Sequence, residues 1–358
     1  VLGATGAVGQ RFVEALHGHP WFELRALVGN DSAGRRYGEA VRHWLPDAPC
    51  PDEVARQTVV SLADLERRSD VAVVFSALPS GTAGPIESRL ASLGFQVFSN
   101  AKDHRMDGDV PLLVPEINPE HLALVRAQRG PGFIVANGNC TSIILQLPLA
   151  ALHRDFGVES CDVVSMQGLS GAGYPGVSAL DVVDNVVPYI GGEEEKVEQE
   201  PLKTLGLLKG TRVEPAAIAI RATCTRVPVR EGHLEAVHLR LARATTLPEV
   251  ARALADFHGP KELASCPTAP ARPILVTDAA DRPQPRRDRD AGRGMAVTVG
   301  RLRLDADGRG LRFVVLGHNT VRGAAGQSVL NAEFALVQGV LRPERLADAG
   351  RQPARRDG

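Results

Sequence analysis

The 358-residue chain is 44% hydrophobic and 23% charged, enough apolar material for two packed domains and without the composition of a disordered protein. A formal net charge of -1 offers no attraction to phosphate backbones or anionic membranes, and no apolar run approaches the roughly 18 residues that span a bilayer. Nucleic-acid and membrane roles are disfavoured; a small-molecule ligand and a cytoplasmic location are expected.

The opening "VLGATGAVGQRFVEALHGHP" runs from apolar residues through Gly3, Gly6 and Gly9 into a helical pattern with Val8, Phe12 and Leu16 on one face. It reads as strand, tight turn and helix, with part of the strand lying before the numbered sequence. Such a turn lets the backbone approach a pyrophosphate, which the helix N-terminal amides then hold; a ligand-free structural turn is the alternative. The spacing departs from GxGxxG, with Ala4 and Thr5 between the first two glycines.

The runs "LRALVG", "VAVVFSALPSG", "FQVFSN" and "FIVANGN" then alternate with helical segments such as "AGPIESRLASLG", the pattern of a parallel sheet flanked by helices. Residues up to about 138 are expected to form one doubly wound domain. Beyond the helix that opens near Thr141, "SCDVVSMQG", "AIAIRATCTRVPVREGHLEAVHLRLAR", "MAVTVGRLRLD" and "LRFVVLGHN" predict a second, sheet-based domain. The stretch "DRPQPRRDRDAGRG" reads as a solvated loop, "GAAGQSVLNAEFALVQGVL" as an apolar helix, and "RPERLADAGRQPARRDG" as a frayed tail.

Cys50, Cys140, Cys161, Cys224 and Cys266 are odd in number, without CxxC spacing or nearby paired histidines, so neither a disulfide framework nor a metal site is expected. Cys140 stands apart because "ANGNCTS" places it where a strand turns into a helix, at the carboxyl edge of the sheet where ligands of doubly wound domains bind. The helix start is expected to favour its thiolate; a buried, inert thiol is the plain alternative. Downstream, "CTRVPVREGH" supplies Arg226 as a carboxylate clamp and His233 as an acid/base group, against the alternatives of a surface arginine and a turn histidine. Cys224, with no helix start after it, reads as a buried strand thiol. Thiol, nicotinamide cofactor, histidine and arginine together indicate capture of a carbonyl on sulfur with hydride transfer, the chemistry of an acylating aldehyde dehydrogenase.

Ordered stretches along nearly the whole chain, among them "GATGAVGQ", "SAGRRYGEA", "HRMDGDVPLLVPEINPEHL", "GNCTS", "MQGLSGAGYPG", "PYIGGEEEKVEQE", "RVPVREGH" and "HNTVRGAAGQSVLNAE", resemble the aspartate-semialdehyde dehydrogenases, in their archaeal and fungal branch. The resemblance implies an α/β fold: a Rossmann-type dinucleotide-binding domain of residues 1–138 and 319–345, plus an α+β catalytic and dimerisation domain with a mixed sheet, residues 139–318. It implies Cys140 as nucleophile, Gln167 as the residue orienting the thioester and His233 as acid/base group. Arg226 matches the substrate-carboxylate arginine, Glu193 the glutamate meeting the substrate ammonium, and Lys196 and Arg105 the phosphate site. Without the likeness, "EEEK" reads as an exposed, charged helix start.

The resemblance further implies NADP, with NAD as a second cofactor, held by Gly3, Thr5, Gly6, Ala7, Val8, Asp31, Ser32, Ser76, Ala77, Leu78, Gly171, Gly173 and Asn319. Asp31 stands where many relatives carry an arginine, so weakened discrimination against NAD is expected, with Arg35 and Arg36 as replacement cations. The implied reaction is reductive dephosphorylation of L-aspartyl 4-phosphate to L-aspartate 4-semialdehyde with release of phosphate, in a homodimer or homotetramer. A CoA-thioester reductase such as malonyl-CoA reductase is the alternative within the class, and a catalytically silent regulatory subunit the alternative outside it.

Overall fold

A computed structural model describes residues 1–343; most of the stretch read as a frayed tail lies outside the described residues. The amino-terminal sheet is parallel, with β1 (Val73–Ser76), β2 (Gln96–Ser99) and β3 (Phe133–Ala136) paired in that order. Single bridged positions extend it: Leu2 pairs with Ser76 and Val28, Val28 with Val60, and Ala136 with Leu112. The spatial order is therefore Val60, Val28, Leu2, β1, β2, β3, and the chain reverses its direction of progress across the sheet between Leu2 and β1, the switch point at which doubly wound sheets bind ligands. The runs "VL" and "LRALVG" join the sheet as bridged positions and not as full strands.

The second sheet is mixed and six-stranded, in the order β7-β4-β8-β11-β10-β9. Its members are β4 (Val158–Gln167), β7 (Ala219–Arg226), β8 (His233–Leu241), β9 (Ile274–Thr277), β10 (Val297–Leu304) and β11 (Gly310–Gly317). A separate hairpin, β5 (Leu207–Lys209) with β6 (Arg212–Glu214), lies apart. One face of the six-stranded sheet carries Cys161, Val163, Val237, Leu239, Phe313 and Val315 into a large core.

The helix Cys140–Phe156 lies against that face, and every residue from Thr141 to Leu152 is buried because neighbours enclose it on all sides. Near the other end of the chain, the helix Gly326–Val337 returns to the first sheet, where Val329, Leu330 and Phe334 pack with Phe12, Phe75 and Phe98.

The stretch 281–294 is largely the solvated loop expected, with Asp281, Arg286, Arg287, Asp290 and Arg293 exposed, but it is anchored at Asp288. Asp288 is buried, accepts hydrogen bonds from Arg282 and from the Gln284 amide, and helps pack this segment behind Gly232. Pairing with Arg282 offsets the burial of Asp288.

Candidate active site

Strand register assembles the first group of site residues. Gln167 at the end of β4 is paired with Arg226 of β7 on one side and with His233 of β8 on the other, and His233 is paired with Gly317 of β11. Three side chains far apart in sequence thus stand in one row across adjacent strands. Arg226 is buried and donates from Nη1 to the Gly168 carbonyl at 2.7 Å. Among the described residues it has no carboxylate within ion-pair distance. Gln167 is also buried and donates to Ser165 Oγ at 3.1 Å.

The start of the helix Cys140–Phe156 faces this row. Asn139 caps it, its Oδ1 accepting from the Thr141 and Ser142 amides at 3.0 and 3.1 Å. Cys140 Sγ lies 3.2 Å from His233 Nε2. His233 Nδ1 accepts from the Gly168 amide at 3.1 Å, which puts the ring hydrogen of the neutral imidazole on Nε2, facing the sulfur. Burial, reinforced by the charge of Arg226, lowers the His233 pKa to about 3, so the ring is neutral at physiological pH.

Burial and the Glu193 carboxylate push the Cys140 thiol up to about 12, while Arg105, Arg226 and the Thr141 amide pull it down. The helix start favours the thiolate as expected, through the Thr141 amide, but burial and Glu193 outweigh it. An enclosed thiolate loses its hydration, and the Ser142 amide donates to Asn139 Oδ1. Cys140 nevertheless keeps part of its surface open, unlike Cys161, Cys224 and Cys266, which are buried; all five cysteines are free.

The charged candidates come from two directions. Glu193 is buried, contrary to the exposed-helix reading of "EEEK". Its Oε1 accepts from Asn139 Nδ2 at 2.8 Å and its Oε2 from Lys196 Nζ at 3.0 Å. Against the effect of burial, Lys196 and Asn139 hold its carboxyl below the usual range. Arg105 is buried and donates from Nη1 to Glu200 Oε1 at 2.7 Å and from Nη2 to the Asn100 carbonyl at 2.8 Å, leaving Nε without a partner among the described residues.

Around the glycine turn the backbone is crowded as a nucleotide cradle requires. A Cβ at Gly3, whose φ is +65°, would stand 2.8 Å from the Ala77 carbonyl oxygen, and one at Gly9 would stand 2.1 Å from the Gly3 oxygen. The helix Ala7–Leu16 begins at Gly6 with no side-chain cap, so its first amides, at Ala7 and Val8, remain available to an anion.

A cavity of about 770 Å³ adjoins this turn, lined by Gly3, Thr5, Asp31, Ser32, Arg35 and Leu78 among others. Arg42 lines it too, whereas Arg36 is absent from the wall and bridges Thr58 through its backbone. Ser76 is wholly buried at the end of β1, so its side chain supports the sheet and cannot face the cavity; Ala77 follows it at the edge.

Gly171 lies on the cysteine side, where a Cβ would meet Arg226 Nη1 at 2.8 Å and His233 Cε1 at 3.2 Å; Gly173, with φ +71°, ends the same turn. Both ends of the Asn319 amide are engaged, Oδ1 by the Gly232 amide and Nδ2 by Ser170 Oγ, each at 2.8 Å. Asn319 therefore braces the turn carrying Gly171 and Gly173.

Known proteins match both halves of the chain. The NAD binding domain of semialdehyde dehydrogenases matches residues 1–125, and the dimerisation domain of semialdehyde dehydrogenases matches residues 149–322. The chain belongs to the semialdehyde dehydrogenase family. An aspartate-semialdehyde dehydrogenase of Archaeoglobus fulgidus is 50% identical over 346 residues, covering 95% of this chain and 98% of the relative. The crystal structure of a semialdehyde dehydrogenase of the same aspartate type, from Candida albicans with NADP, superposes with a TM-score of 0.86 at 38% identity, covering 95% and 98% of the two chains. A malonyl CoA reductase (NADP) of Metallosphaera sedula is 41% identical over 349 residues, covering 95% of this chain and 97% of that protein.

Within this semialdehyde dehydrogenase site, sequence reasoning passed over Glu200, Lys203 and Arg42. A signal for the first two exists: Glu193, Lys196, Glu200 and Lys203 recur at three- and four-residue spacing, one face of the helix Glu194–Thr204 and its cap. What the spacing lacks is any indication of which loop that face meets.

Proposed function

We propose that the protein catalyses the NADP-dependent reductive dephosphorylation of L-aspartyl 4-phosphate to L-aspartate 4-semialdehyde through a thioester on Cys140. The observation that carries this reading is the 3.2 Å approach of Cys140 Sγ to His233 Nε2, beside a row in which Arg226 has no carboxylate of its own. Each charge of the substrate then has a counterpart. Arg226 binds the carboxylate, Glu193 meets the ammonium at the cost of loosening its bond to Lys196, and Arg105 with Lys196 offsets the departing phosphate.

The Cys140 sulfur attacks the acyl carbon as its proton passes to the departing phosphate, the carbon–oxygen bond to phosphate breaks, and a thioester remains that Gln167 orients. NADPH, when bound, supplies the hydride that takes the thioester to the aldehyde level. The Nε2–H of His233 donates to the negative oxygen that develops beside it, and loss of the aldehyde returns the sulfur. Gly3, Gly6 and the amides of Ala7 and Val8 fit the pyrophosphate because the turn has no room for side chains and the helix start has no cap of its own.

Residues 1–138 with 319–345 form the nucleotide half in this reading and 139–318 the catalytic half, supported by the packing of Val329, Leu330 and Phe334 onto Phe12 and Phe75. The dimerisation-domain match supports a homodimer, with the exposed apolar side chains Leu180, Val183 and Tyr189 available to a second copy, and dimers pairing into a tetramer as the larger assembly. Among the described residues no helix is long and apolar enough to cross a membrane, and the reading assigns the cytoplasm, supported by five free thiols.

The likeness to a malonyl CoA reductase gives the second reading. The two separate in one assay. Semialdehyde plus phosphate and NADP is expected to produce NADPH, whereas malonyl-CoA with NADPH is expected to give no turnover. The reverse result would transfer the assignment, and silence in both with intact NADP binding would favour a regulatory subunit.

A further inference from the structure

The helix Glu194–Thr204 turns one face toward the cysteine turn, and the member of that face nearest both halves of the site is Glu200. Its side chain is 3% exposed. Oε1 accepts from Arg105 Nη1 at 2.7 Å, and Oε2 accepts from the backbone amide of Asn139 at 2.6 Å. One turn further, Lys203 Nζ donates to the carbonyls of Arg105, Asp107 and Val110 at 2.7, 2.7 and 2.9 Å, so the loop that carries Arg105 is held by the same helix.

We propose that Glu200 is a positioning residue that ties the anion-binding Arg105 to the nucleophile turn, so that bound phosphate and the sulfur of Cys140 keep a fixed separation. This rests on the reading of Arg105 as the phosphate arginine.

The chemistry calls for a carboxylate at this position. Two donors arrive, a guanidinium and a backbone amide, and one group must accept from both across its two oxygens. A glutamine presents one acceptor and one NH₂, so in either orientation its NH₂ faces a donor. An aspartate is one carbon shorter and cannot span the two partners without moving one of them.

Glycine at 138 belongs to the same arrangement, because a Cβ there would stand 3.4 Å from Glu200 Oε2 and 3.1 Å from Ile143. Asn139 is thereby fixed at three points: its backbone amide by Glu200, its Nδ2 by Glu193 and its Oδ1 by the helix amides of Thr141 and Ser142. Cys140 follows directly. On the other side, Nη1 of Arg105 donates to Glu200 and Nη2 to the Asn100 carbonyl, and the enclosed Nε–H has no partner among the described residues.

The test is a double-mutant cycle on the full-length enzyme, followed with semialdehyde, inorganic phosphate and NADP. Glu200→Gln is expected to raise the KM for phosphate about tenfold, the loss of one charge-assisted bond, while the semialdehyde KM and NADP binding by nucleotide fluorescence stay within about twofold. In an Arg105→Leu background the same substitution is expected to change the phosphate KM by less than about twofold, because its effect runs through Arg105. A general structural defect would instead raise all three constants and would add to Arg105→Leu. Either that pattern or an unchanged phosphate KM in Glu200→Gln overturns the proposal. If Arg105→Leu itself leaves the phosphate KM unaltered, the reading of Arg105 fails first. Should the glutamine variant not fold, Glu200→Asp, which keeps the charge and shortens the reach, decides by the same criteria.

Discussion

Cys140 and His233 meet at 3.2 Å through a ring nitrogen that carries its hydrogen toward the sulfur, because the other ring nitrogen accepts from Gly168. The imidazole can take a second proton only by giving up the Gly168 bond, and burial already holds it neutral. In the ligand-free enzyme the thiol therefore keeps its proton, its pKa being pushed up to about 12 by burial and Glu193. Alkylation of Cys140 by iodoacetamide is expected to climb about tenfold per pH unit from about pH 7 to about pH 9, as the thiolate fraction of a high-pKa thiol does. A plateau near neutrality would reveal a preformed thiolate pair and refute this picture. Cys140→Ser is expected to bind NADP normally and to lose nearly all turnover.

His233→Asn removes the group that donates to the developing oxygen. Turnover is expected to fall by roughly two to four orders of magnitude, the range for losing a general acid/base, with the fold retained. The measurement is kcat near neutral pH in both proteins, with NADP binding by nucleotide fluorescence as the check on folding. Turnover within about tenfold of wild type would assign that donation to another group.

Arg226 and Arg105 differ in what already satisfies them: Arg226 has a backbone carbonyl and no carboxylate, whereas Arg105 is paired with Glu200. Arg226→Leu is expected to raise chiefly the KM for semialdehyde, by about tenfold or more for a lost bidentate carboxylate contact. Arg105→Leu should act chiefly on phosphate. If both variants altered the phosphate constant alone, the carboxylate would have to be bound elsewhere.

Much of this site was legible because the residues follow from strong local patterns. A strand running into Asn137-Gly138-Asn139 and then an apolar helix puts Cys140 at a sheet edge whatever else the chain does. The resemblance supplied Gln167, and the strand register that sets it beside His233 and Arg226 became visible only in the fold. Glu200 and Lys203 escaped since their roles depend on a loop about 95 residues earlier in the chain. Within residues 281–294 one anchor escaped for a related reason: charge density suggests solvent, which holds for most of the segment, yet Asp288 is buried against Arg282.

Glu235 presents a different consequence of enclosure. It follows His233 on β8, paired with Ser165 and Val315, and is wholly buried; neither carboxyl oxygen has a hydrogen-bond partner among the described residues. Burial, and after it the Glu193 carboxylate, raise its pKa well above the ordinary value. A raised folded-state pKa means that folding takes up a proton once pH exceeds the unfolded value, about 4.3, so the contribution to stability declines as pH rises from there toward the folded value. Glu235→Gln keeps the shape and cannot titrate. The difference in Tm, variant minus wild type, is expected to grow from about pH 5 to about pH 8. A difference independent of pH would mean that Glu235 does not exchange its proton on unfolding.

Cofactor choice turns on Asp31. Its exposed carboxylate accepts from Asn30 Nδ2 at 2.9 Å and lines the cavity beside the glycine turn, where a carboxylate is placed to accept from a free ribose hydroxyl and to repel a 2′-phosphate. Opposing it on the same wall are Ser32, Arg35 and Arg42, two cations against one anion. NADP is therefore expected to be preferred, but by less than a site without the aspartate would achieve, and NAD is expected to give measurable turnover. Arg42→Ala should narrow the preference and Asp31→Arg should widen it, each by about tenfold for one unit charge near the phosphate. The readout is the ratio of kcat/KM for the two cofactors, with Kd values from nucleotide fluorescence as an independent check. A wild-type preference of a thousandfold or more, about 4 kcal/mol, would mean that the aspartate does not oppose the phosphate. A ratio unmoved by Asp31→Arg would show that residue 31 does not read the ribose at all.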